Sequence, residues 1–100
     1  MHIKDTKLPS TWTAFSTLVD EVEANAEYII TNSSPDTIYA LESTGDPDKT
    51  YIGVPVNPGN FIDYKKGTQD LYLRNAYTPV TSGGVATENK VSNITISKVG

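Results

Sequence analysis

The chain reads as an all-β protein: a compact β-sandwich or jelly-roll-like barrel of seven or eight strands with a short N-terminal arm. Three observations predict this class. Short runs rich in β-branched and aromatic residues recur from Tyr28 to Arg74, and turn-forming Gly, Pro, Asn and Asp interrupt them about every 8 to 12 residues. Several runs alternate with the period of two that a half-buried strand needs. With 100 residues, 37% of them apolar, there is material for one modest core and no second lobe.

Residues 1–13 are polar and broken at Pro9-Ser10-Thr11, and read as an arm ahead of a single β domain at 14–100. Trp12, the lone indole, either plugs one end of the core or carries the arm into a neighbouring subunit. Residues 14–26 admit two readings. Phe15, Leu18, Val19 and Val22 fall at helical spacing, yet Thr13, Ser16 and Thr17 are poor helix formers, and Asn25 could centre a hairpin turn.

From residue 28 onward the runs are 28–31, 37–41, 51–54, 61–64 and 71–74. Ile38 and Ala40 face opposite to Tyr39 and Leu41, so that strand is expected to be covered on both sides. Pro55 and Pro58 cannot donate to a ladder, which makes their segment an edge strand or a crossing loop. Residues 75–90 read as a flexible loop, with Val80 and Val85 flanking a hairpin on Gly83-Gly84. Ile94-Thr95-Ile96-Ser97-Lys98 alternates cleanly and should pin the C-terminal end to a sheet. The expected core is Leu18, Val22, Ile30, Ile38, Leu41, Ile52, Phe61, Leu71, Leu73, Ile94 and Ile96.

Composition narrows the function. There is no cysteine, so neither disulfides nor thiolate metal sites can supplement the core. A net charge of −4 and scattered basic residues argue against binding a phosphate backbone, and no nucleic-acid partner is expected. No apolar run reaches the roughly 18 residues of a membrane-spanning helix, so no membrane partner is expected. The first residues lack a hydrophobic signal core, and manufacture without Sec export is expected.

Chemistry-bearing groups are sparse. His2 is the only histidine, which leaves no histidine-based triad or histidine-rich metal site. The 12 acidic residues lie in polar contexts, and none reads as a buried general acid. Asp46 and Asp48 could offer oxygens to Ca²⁺, but a turn in which Asp46 caps its own backbone explains them better. Gly83-Gly84 lacks the Gly-Lys-Ser/Thr of a phosphate loop. The expectation is a protein that is not an enzyme and takes no cofactor or metal. The six tyrosines then stand out as recognition candidates, most of them buttressing strands and one or two at an interface. Trp12, Tyr39, Tyr72 and Arg74 are the candidate interface residues.

Over residues 12–74 the chain resembles the small β-rich accessory proteins of tailed bacteriophage particles. The resemblance lies in Trp12-Thr13, Tyr28-Ile29-Ile30-Thr31-Asn32 with its polar turn, Ile38-Tyr39, the segment Val54-Pro55-Val56-Asn57-Pro58-Gly59-Asn60-Phe61, and Leu71-Tyr72-Leu73-Arg74. It implies two strands rather than a helix in 14–26. It also implies a non-enzymatic virion structural protein: a head decoration, fibre or appendage, or head–tail component. Such a protein would be made in the host cytoplasm, contact other virion proteins and form a homo-oligomer, a trimer above all. A second class of function, a carbohydrate or host-cell-surface binding module with tyrosines stacked on sugars, fits the same composition.

Overall fold

The computed structural model describes residues 1–48, 51–76, 81–82, 85–86 and 92–99. In chain order the elements are β1 (His2–Leu8), β2 (Thr13–Ala14), α1 (Phe15–Leu18), β3 (Glu27–Asn32), β4 (Ile38–Ser43), β5 (Val54–Val56), β6 (Phe61–Lys65), β7 (Asp70–Asn75), β8 (Thr81–Ser82), β9 (Val85–Ala86) and β10 (Ser92–Lys98). Two antiparallel four-stranded sheets form, β1-β10-β3-β6 and β2-β7-β4-β5, and they pack as a β-sandwich. Thr81 and Ser82 pair with Ala86 and Val85, the expected hairpin around Gly83-Gly84. The glycines themselves, Tyr77, Pro79, Val80 and Glu88-Asn89-Lys90 lie outside the described residues.

Consecutive strands repeatedly change sheet, and the crossings are built by polar residues. At the β3–β4 crossing Asn32 is fully buried. Its Nδ2 donates to the carbonyls of Asp36 (2.7 Å) and Val56 (2.9 Å), while its Oδ1 accepts from the Ser34 N–H (3.0 Å) and hydroxyl (2.6 Å). One amide thereby satisfies the backbone of a turn that no sheet can serve. Asn75 ends β7 in a similar way, its Nδ2 donating to the Leu8 carbonyl at 3.0 Å and its N–H to that of Pro9 at 2.9 Å. The β5–β6 crossing turns on Gly59, whose φ of +82° suits a residue without a Cβ.

The core differs from expectation at both its centre and its rim. Leu18, Ile30, Ile38, Leu71, Leu73, Ile94 and Ile96 are buried as expected, and Val22 packs against them half-buried. The centre is aromatic: Phe15 meets Tyr28 and Tyr64 edge-on, with centroids 5.2 and 5.3 Å apart. Both tyrosines keep a hydroxyl partner at the rim, Tyr28 accepting from the Glu23 N–H and Tyr64 donating to the Gln69 carbonyl. Ile52 and Phe61, expected inside, are exposed, and Leu41 is only half-buried.

Two boundaries also need correction. His2–Leu8 is no free arm; it is an edge strand antiparallel to β10, with Leu8 fully buried. Lys4 reaches across and donates to the Leu18 carbonyl at 2.7 Å. Residues 14–26 form neither two strands nor a long helix. One turn, α1, follows the two-residue β2 and is closed by Val19 N–H to Phe15 O at 3.0 Å. The remainder bridges the two layers without a ladder partner among the described residues and turns at Asn25 with φ +65°.

Burial pushes the Tyr64 phenol up to about 12, with Asp70 and Glu42 adding to the effect. A phenol raised in the folded state leaves stability intact below the unfolded value near 10 and loses it as pH rises from there through the folded value. Denaturant titrations at about pH 9 and about pH 11 should therefore show falling stability, and Tyr64→Phe should flatten that fall.

Candidate docking surfaces

The four candidate interface residues lie on or beside one face, the outer face of the β2-β7-β4-β5 sheet. The register sets Tyr39 opposite Arg74 and Leu41 opposite Tyr72. Trp12, just before β2, folds back over this face. The Arg74 guanidinium carbon sits 5.0 Å from the Trp12 ring centroid and 4.8 Å from that of Tyr39, bracketed by two rings. Such contacts contribute about 0.5–1 kcal/mol each when exposed. Arg74 Nη1 donates to the Asn75 carbonyl at 3.1 Å, and its buried Nε has no partner among the described residues. The Trp12 indole N–H donates to the Asp48 carbonyl at 3.2 Å.

Tyr72 shares the face but is covered, only 8% exposed. Burial, then Asp46 and Asp70, raise its phenol above the ordinary value. It anchors the surface from below and does not offer a ring to a ligand. Tyr39 is half-buried with one face taken by Arg74, while Tyr51 is 56% exposed.

Gly53 sets how closely the chain approaches this stack. Its φ is +78°, and a Cβ there would lie 2.6 Å from the Ala40 carbonyl oxygen and 3.1 Å from the Trp12 ring. Gly53→Ala should cost at least about 2 kcal/mol from backbone strain and clash. Chemical denaturation followed by Trp12 fluorescence measures both the loss and the displaced indole.

The second surface is the flank between β5 and β6. On the opposite flank the bonds from Asn75 to Leu8 and Pro9 tie the sheets together. Here a shallow cleft of about 190 Å³ runs between the layers, lined by Ala40, Leu41, Val54, Ile62 and Leu71 with Glu42 and Asp63 at its edge. Val54 and Phe61, on the two bordering strands, are each 59% exposed, and Ile52, leading into β5, is 63% exposed. The larger grooves are more polar; one of about 480 Å³ is lined by Asp20, Glu21, Glu23, Lys4 and Lys98 among others. Lys98 there pairs with Glu23 at 2.6 Å.

The sequence pattern places Ile52 and Phe61 inward and so hides this flank, whereas both are exposed. The signal was present: Asp63 and Lys65 share Phe61's parity, and charged residues mark the wet face. Comparison with protein-family models, curated proteins and solved structures finds no match for this chain.

Proposed function

We propose that this chain is a non-catalytic structural protein of a bacteriophage particle, a head decoration, fibre or appendage, or head–tail component. It is made in the host cytoplasm, resides in the virion, and works by burying surface against other virion proteins and against itself. The observation that supports a contact role is the flank where Val54 stands exposed and lines an open cleft, with Ile52 and Phe61 exposed on the adjoining segments. Exposed apolar side chains on a small domain gain by being covered. The Trp12–Arg74–Tyr39 stack supports the same reading, since Trp, Tyr and Arg dominate binding hot spots. The virion setting rests on the resemblance of residues 12–74 to phage accessory proteins.

Co-sedimentation with particles assembled from the capsid, portal and tail proteins of its own phage tests this reading. The chain should pellet with particles at a fixed copy number, and Val54→Asp should release it. A chain that stays in the supernatant and instead binds glycans in a manner abolished by Tyr39→Ala would overturn the proposal in favour of a carbohydrate-binding module.

A further inference from the structure

Each sheet of the sandwich has two outer strands, and an open edge is a template for another strand. Three of the four are guarded. β1 has an irregular register between His2 and Lys4. β2 is two residues long. β5 has three residues with Pro55 in the middle, which removes a donor. β6 runs five residues from Phe61 to Lys65 with no proline and an unbroken register against β3.

The hydrogen-bond parity of β6 is fixed by its neighbour. Asn32 N–H points at the Asn60 carbonyl (2.9 Å), and Ser33 N–H points the other way, at Asn93 (3.0 Å). Even-numbered residues of β3 therefore bond β6, and their partners Ile62 and Tyr64 turn their backbone groups inward. Phe61, Asp63 and Lys65 turn theirs to the outer edge, where no strand pairs among the described residues. Their side chains are exposed, and neither Asp63 nor Lys65 has an ion-pair partner among the described residues.

We infer that β6 pairs antiparallel with β6 of a second copy about a two-fold axis at Tyr64, setting Asp63 of each chain opposite Lys65 of the other. This rests on the self-association part of the proposed function and gives it a surface and a register. Charge selects the register. Centring the axis on Asp63 would oppose Asp63 to itself, a like-charge pair that destabilises a ladder. Centring it on Ile62 opposes Phe61 to Asp63 and leaves Lys65 facing the turn at Gly59. Only the Tyr64-centred arrangement matches both charges, and it also brings Phe61 toward Gly67, which has open space around it. The backbone groups of Asp63 and Lys65 then close the ladder, and the two sheets containing β6 become one of eight strands. The clefts beside Val54 and Ile62 of the two copies come to face each other beneath it.

Sedimentation velocity over a concentration series tests this. The wild-type chain should reach twice the 10.9 kDa of one chain. Asp63→Lys and Lys65→Asp, each opposing like charges twice, should weaken the dimer about tenfold, and the double swap should restore it. The chain has no cysteine, so Asp63→Cys combined with Lys65→Cys offers a clean second readout. Opposed residues about 5.5 Å apart at Cα should oxidise to a covalent dimer, whereas Asp63→Cys alone should not. A trimer, or single swaps without effect, overturns the β6 pairing while leaving self-association standing. A monomer at all concentrations overturns both, leaving contact with other virion proteins to the particle experiment.

Discussion

Phe15→Ala should lower stability by about 4 kcal/mol, enough to consume much of what a domain of this size possesses. Phe15 is fully buried and is the ring that Tyr28 and Tyr64 both meet edge-on. It stands on α1, in the segment that passes between the two sheets, while its partners lie on β3 and β6. Truncation removes the apolar transfer energy and two edge-to-face contacts, and it leaves a void that rigid strands on several sides cannot close. The midpoint of thermal unfolding should fall by roughly 15–30 °C. Phe15→Leu, which keeps most of the volume, should cost less than half as much. Equal losses for the two variants would mean that the aromatic cluster is not the keystone of the core.

Asn32→Ala should cost about 3 kcal/mol although it deletes no apolar surface. The carbonyls of Asp36 and Val56 lose a buried donor together, and the Ser34 N–H and hydroxyl lose their shared acceptor. Asn32→Asp separates the donor role from the acceptor role. A carboxylate can still accept from Ser34 but would confront two carbonyl oxygens, so this near-isosteric variant should be at least as unstable at neutral pH. Its stability should rise as pH falls, because protonation restores one donor and removes a buried charge. Urea titrations of both variants at neutral and mildly acidic pH supply the comparison. An Asn32→Asp variant as stable as wild type would show that the Nδ2 bonds do not hold the crossing.

The fold class was legible because it depends on parity and punctuation, both written locally. The alternation of Ile38 and Ala40 against Tyr39 and Leu41, and the turn residues after Asn32 and Val56, reappear in the structure where the pattern placed them. What escaped was information about neighbours. Parity says that Phe61 and Ile62 face opposite ways but not that β6 is an outer strand with water on one side. Tyr28 and Tyr64 read as strand buttresses, but only the structure shows each hydroxyl reaching a backbone partner while the rings meet Phe15 at the centre. His2–Leu8 read as part of an N-terminal arm because an edge strand tolerates the same charges. The Trp12–Arg74–Tyr39 stack was half legible: its members stood out by type, but their meeting depends on the β4–β7 register and on Trp12 folding back.

Amide hydrogen exchange at individual residues of β6 tests the docking account most directly. At low concentration the N–H groups of Ile62 and Tyr64, bonded to β3, should exchange slowly, while those of Phe61, Asp63 and Lys65 exchange fast. At high concentration, or on the particle, the second set should become protected with the first unchanged. If Phe61, Asp63 and Lys65 stay fast under every condition in which the chain is bound, this edge is not where it docks, and the account built on it is wrong.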